Sequence, residues 1–124
     1  YQALNVLVLV NFSVASRYFM TEKKHFMCTH AWQSDEAKST AMSASITDRE
    51  FFAIYKTDTA ECLQHWMGDS EFFFCHWFAE SEDAIHEALE LAGDANLILT
   101  VPYETPRYIS SNAITDKTLV NLTT

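Results

Sequence analysis

Between residues 25 and 103 the chain switches repeatedly between two hydrophobic patterns. Short runs dense in aromatic and branched residues read as strands, and stretches with apolar residues three and four apart read as helices. His25–Trp32 is the first such run, with no Gly or Pro inside it. Ser34 then offers an N-cap, and Asp35 and Glu36 suit the positive end of a helix dipole. The predicted helix runs through "EAKSTAMSASI", with Ala37, Ala41 and Ala44, joined by Met42 and Ile46, as its buried stripe. Thr47-Asp48-Arg49-Glu50 is a capping-box pattern opening a short second helix that carries Phe51, Phe52 and Tyr55.

"AECLQHWM" and "EFFFCHWFAE" flank Gly68-Asp69 and read as a hairpin. Ser81 caps the next helix, in which Ile85, Ala88, Leu89 and Ala92 keep helical period until Gly93 stops it. "NLILTVPY" (96–103) is the last strand, with Pro102 suiting an edge. The resulting order, β-α-β-β-α-β, predicts an α+β fold on the ferredoxin-like plan, a four-stranded antiparallel sheet with two main helices on one face. The domain is expected over residues 20–108, preceded by a leader-like or upstream extension at 1–19 and followed by a polar tail at 109–124. "ALNVLVLVNFSVAS" within that extension is apolar but short for a bilayer span, and "MTEKKHFMCTHAW" from Met20 has the look of an ordinary start.

Both faces of the strands are apolar. Phe72, Phe74, His76 and Phe78 alternate with Phe73, Cys75, Trp77 and Ala79. Helices cover one face, so the other needs a partner, and a second copy packed sheet to sheet is the simplest. With Gly68-Asp69 as a two-residue turn, His65 would face Phe72, Leu63 would face Phe74, Cys62 would face Cys75 and Glu61 would face His76. A bulge would shift every rung. On that register Glu61, His65, Phe72, Phe74 and His76 share one face, and His30 stands in the first strand. These six are the candidate ligand-binding residues, with Glu61 orienting His76 across the hairpin in a pocket between sheet and helices. The same residues also fit an ordinary core with hydrogen-bonded histidines and an ion pair at its rim.

Composition narrows the chemistry further. A net charge of −9, from 17 acids and 8 bases, repels nucleic acid. Three cysteines without close spacing speak against a disulfide scaffold or a structural zinc site and for a reducing, cytoplasmic setting, in which Cys62 and Cys75 stay open. With two glycines and no phosphate-binding loop or nucleophile elbow, no cofactor is expected. Trp32, Trp66 and Trp77 suit a core or a dimer seam, while His25 and His86 are expected in solvent.

The element order, the hairpin "CLQHWMGDSEFFFCHWFAE" and the helix "SEDAIHEALELAG" followed by "LILTVP" resemble the dimeric α/β-barrel superfamily over residues 24–108. Within it the chain looks nearest to small members, nickel-binding ones and environmental proteins of unassigned function among them. The resemblance implies sheet-to-sheet homodimers. It leaves the chemistry open among small-molecule binders, metal binders using strand histidines, and cofactor-free monooxygenases or isomerases. The expected function is therefore binding of a small apolar ligand or substrate by a homodimer, with metal binding through His30, His65 and His76 with nearby Glu61 as the alternative and with enzymatic activity left open.

Overall fold

The computed structural model describes residues 22–119; the expectations for residues 1–19 and for the last five residues lie outside that range. In chain order the elements are β1 (Lys24–Trp32), α1 (Asp35–Met42), α2 (Asp48–Ile54), β2 (Ala60–Met67), β3 (Phe72–Ala79), α3 (Glu82–Leu91) and β4 (Ile98–Glu104). The four strands form one sheet in the order β2-β3-β1-β4, every neighbouring pair antiparallel. β1 and β2 therefore run the same way without touching, as do β3 and β4, and each such pair is joined by a helical crossover.

Local chemistry accounts for where the helices begin. Ser34, Thr47 and Ser81 sit in extended backbone, and each side chain accepts a hydrogen bond from the amide three residues on, at Ala37, Glu50 and Ala84. Each bond satisfies an amide that the first helical turn leaves without a partner. α1 stops at Met42, short of Ile46, with Ser43 as its C-cap. The run 43–47, Ser-Ala-Ser-Ile-Thr, is rich in side chains that compete for backbone hydrogen bonds. α3 ends at Gly93, whose φ of 86° is the left-handed conformation glycine adopts without steric cost. The amide of Gly93 donates to Glu90 and that of Asp94 to Leu89, the paired bonds that close a helix end.

The helices lie over one sheet face. Phe26 and Cys28 of β1, Ala60 and Cys62 of β2, Phe73, Cys75, Trp77 and Ala79 of β3 and Ile98 of β4 form a single buried cluster with Ala84, Ile85, Ala88 and Leu89 of α3. Phe51, Phe52 and Tyr55 pack against its border. On the opposite face Trp66, Phe72, Phe74, Leu99, Val101 and Tyr103 remain exposed.

The expected hairpin register is corrected. Met67 pairs with Phe73, so the β2–β3 connection is longer than two residues, and Cys62 lies opposite Trp77 rather than Cys75. The ladder then slips once, between Cys62 and Gln64, at a bulge containing Leu63. Glu61 accordingly lies opposite Phe78, not His76. It forms an ion pair with Lys56 at 3.2 Å.

No helix among the described residues is long and apolar enough to cross a membrane. Beyond β4, residues 105–119 have no helix or strand. Thr105 donates its amide to His25, and the Tyr108 ring lies 5.5 Å from that of His76.

Candidate functional site

The bulge decides which residues meet under the helices. An uninterrupted ladder from the Cys62–Trp77 rung would place Gln64 opposite Cys75 and Trp66 opposite Phe73. The extra residue instead puts His65 opposite Cys75 and Met67 opposite Phe73. Two rows of side chains then cross the sheet on the helix side. One is Met67, Phe73, His30 and Thr100; the other is His65, Cys75, Cys28 and Pro102. Met67, Phe73, His30, His65 and Cys75 of these rows form the floor of a cavity of about 420 Å³. Ala41 and Met42 of α1, Ile46 of the following loop, Phe51 and Tyr55 at α2 and Leu89 of α3 are among the residues that close it. Ala41 of α1 and Ala44 just beyond it help to make this room, because small side chains facing aromatic rings leave space between layers.

The polar groups in the wall are few. His30 is 1% exposed, and its ring stacks on Phe73 at 4.7 Å between centroids. Its Nδ1 is 2.8 Å from Thr100 Oγ1, while its Nε2 has no hydrogen-bond partner among the described residues. Burial, reinforced by repulsion from His65 and His86, lowers its pKa to about 4, so the imidazole is neutral at pH 7. Trp77 Nε1 is likewise buried without a hydrogen-bond partner among the described residues.

His65 Nδ1 lies 3.2 Å from Cys75 Sγ, an arrangement that looks like a Cys–His nucleophile. The thiol chemistry runs against that use. A hydrogen bond with Cys62 and burial both push the Cys75 thiol up, and burial lowers the pKa of His65. Cys28, beneath the same floor, is pushed up to about 12 by burial and by the neighbouring charges of Cys62 and Glu82. A neutral thiol beside a neutral imidazole packs and donates weakly; it does not attack. All three cysteines are free and buried.

At the rim the Tyr55 hydroxyl donates to Asp94 Oδ2 in a short hydrogen bond. Two backbone features hold this pair. The Tyr55 carbonyl accepts from Cys62 at 2.9 Å, and Asp94 is fixed by the closing turn of α3 at Gly93. Burial raises the Asp94 pKa, with the Tyr55 hydrogen bond opposing, and burial together with Asp94 raises that of Tyr55. Among the described residues neither Lys nor Arg lines the cavity, and Asp94 is the lining residue with a formal charge.

Of the six residues expected at the site, His30 and His65 line the cavity together. His76, Phe72 and Phe74 lie on the opposite sheet face, because side chains of one strand alternate and Phe73, Cys75 and Trp77 take the helix side. Glu61 stands apart from His76, engaged with Lys56. His76 is nonetheless buried, with its Nε2 2.9 Å from His25 Nδ1 and Tyr108 beside it. His25 is thus half-buried in a histidine pair rather than solvated, while His86 is exposed as expected. Among the described residues no three His, Cys, Asp or Glu side chains converge where they could hold a metal ion. Thr40, Tyr55 and Asp94 are polar residues of the cavity that the sequence did not single out, and neither did it single out Thr100, which holds His30 Nδ1 without itself lining the cavity. Of these, only the Gly93-Asp94 helix stop carried a signal in the sequence.

No protein-family model, no curated protein and no solved structure matches the chain.

Proposed function

We propose that the chain is a ferredoxin-like protein of the dimeric α/β-barrel kind that binds a small, largely apolar molecule in the cavity between its sheet and helices. The observation that carries this reading is His30. A wholly buried imidazole that lines an apolar cavity keeps one nitrogen on Thr100 and leaves the other without a hydrogen-bond partner among the described residues. Leaving a buried polar atom unpaired costs about 1–3 kcal/mol, and a bound molecule that supplies the missing hydrogen bond recovers that cost. A cavity of about 420 Å³ lies within the usual range for small-molecule sites. The strand order and the two helical crossovers support the fold assignment. The exposed aromatic face supports pairing of two copies sheet to sheet. The raised pKa of the Cys75 thiol and the lowered pKa values of His30 and His65 favour binding over nucleophilic catalysis. The metal alternative has no converging ligand set behind it among the described residues.

Titration with the uncharged fluorophore N-phenyl-1-naphthylamine tests the reading. Saturable binding of one probe per chain with enhanced emission is expected, and Ala41→Trp, which fills the cavity, should abolish it while the fold persists. An absence of saturable binding would overturn the proposal. So would binding that survives Ala41→Trp but is lost in Phe74→Glu on the open face.

A further inference from the structure

We infer that the ligand of this cavity is an uncharged molecule with a mainly apolar body and one hydroxyl or carbonyl oxygen, which hydrogen-bonds to His30 Nε2. The inference rests on the binding reading above and adds the ligand's chemistry. Its polarity follows from the wall. Phe51, Phe73, Met42, Ile46, Leu89 and Trp32 supply apolar surface, so most of the ligand must be apolar to gain from burial. Its lack of charge follows from what the wall omits. A carboxylate or phosphate would enter a cavity lined, among the described residues, by neither Lys nor Arg, with Asp94 at the rim, in a chain of net charge −9. The neutral imidazole of His30 offers no counter-charge. An ammonium group would need Asp94, whose carboxylate already accepts the Tyr55 hydroxyl. A charge without a partner in such a site costs far more than a hydrogen bond returns.

The polar group follows from the His30–Thr100 contact. If Thr100 donates to Nδ1, His30 presents an N–H at Nε2; if Nδ1–H donates to Thr100, it presents a lone pair there. A hydroxyl satisfies either tautomer and a carbonyl the first, whereas a hydrocarbon satisfies neither.

Calorimetric titration at pH 7.5 with four probes of one shape tests this. The probes are 2-naphthol, 2-methylnaphthalene, 2-naphthoate and 2-naphthylmethylammonium. 2-Naphthol is expected to bind about 10-fold more tightly than 2-methylnaphthalene, the scale of one buried hydrogen bond. Both charged probes should bind more weakly than the hydrocarbon. His30→Phe should erase the advantage of 2-naphthol and leave 2-methylnaphthalene binding in place. Equal or tighter binding of either charged probe, or a naphthol advantage that survives His30→Phe, would overturn the inference while leaving cavity binding intact. If none of the four binds, the binding reading fails with it. The ranking in the unaltered chain decides the matter even if His30→Phe does not fold.

Discussion

His30 and Tyr55 show how differently single polar residues can sit at the edge of one apolar space. His30 is sealed in, with one nitrogen paired to Thr100 and the other unpaired. Tyr55 reaches across from the end of α2 and gives its hydroxyl to a carboxylate that burial would otherwise penalise. Tyr55→Phe keeps the ring on Phe51 and removes the donor from Asp94. A hydrogen bond to a charged group contributes roughly 1.5–3 kcal/mol, so the variant should lose about 2 kcal/mol of stability. Urea denaturation would show this as a lowered midpoint with an unchanged slope. An unchanged midpoint would mean that the carboxylate finds water at no cost. The sequence made His30 and His65 visible as candidates, because a histidine in an apolar strand is conspicuous. It did not reveal Thr100 or Tyr55, since the pairing partner of each comes from a distant element.

At the scale of elements the hydrophobic period was a reliable guide. Each strand and helix was legible, because caps at Ser34, Thr47 and Ser81 and the stop at Gly93 are local signals that tertiary packing leaves alone. The register was not. A two-residue turn at Gly68-Asp69 and an unbroken ladder are the simplest reading of the hairpin, and a longer connection plus the bulge at Leu63 displaced both. Since side chains alternate, the slip moved His65 under the helices, and the observed register leaves His76, Phe72 and Phe74 on the open face. That face now defines the proposed dimer seam. Trp66, Phe74, Thr29 and Val101 form one row across the four strands, and Phe72, Ala31 and Leu99 form another. Sedimentation equilibrium at micromolar concentration should give a dimer. Phe74→Glu, a charge placed in the seam centre, should give a folded monomer. Trp77 is core, 1% exposed, and is no part of the seam. A stable monomer of the unaltered chain would contradict the dimer.

For the whole molecule, the histidines set a direction in pH. His25, His30, His65 and His76 all have pKa values below their ordinary 6.5, each chiefly through burial. The folded state therefore binds fewer protons than the unfolded chain below that value. Stability is complete above about pH 6.5 and falls as the pH drops, the loss from His30 continuing to about pH 4. His30 alone accounts for on the order of 3 kcal/mol across that window. The raised Asp94 pKa works in the opposite sense at the acid end, since its protonation favours the folded state. The His25–His76 hydrogen bond lies beneath Tyr108 on the open face, so acid should disturb that end of the seam as well. Melting temperatures measured from pH 8 to pH 4 should decline steadily below pH 6.5, and a flat profile would contradict the neutral, buried state of these rings.

The central claim is that ligand binds on the helix side of the sheet, at His30. Long-range 1H–15N spectra of the imidazole nitrogens, recorded while 2-naphthol is added, test it atom by atom. The His30 Nε2 resonance should move with saturation, His65 should respond more weakly, and His25 and His76 should stay where they are. Shifts confined to His25 and His76, with His30 unmoved, would place the ligand on the open face and contradict the account.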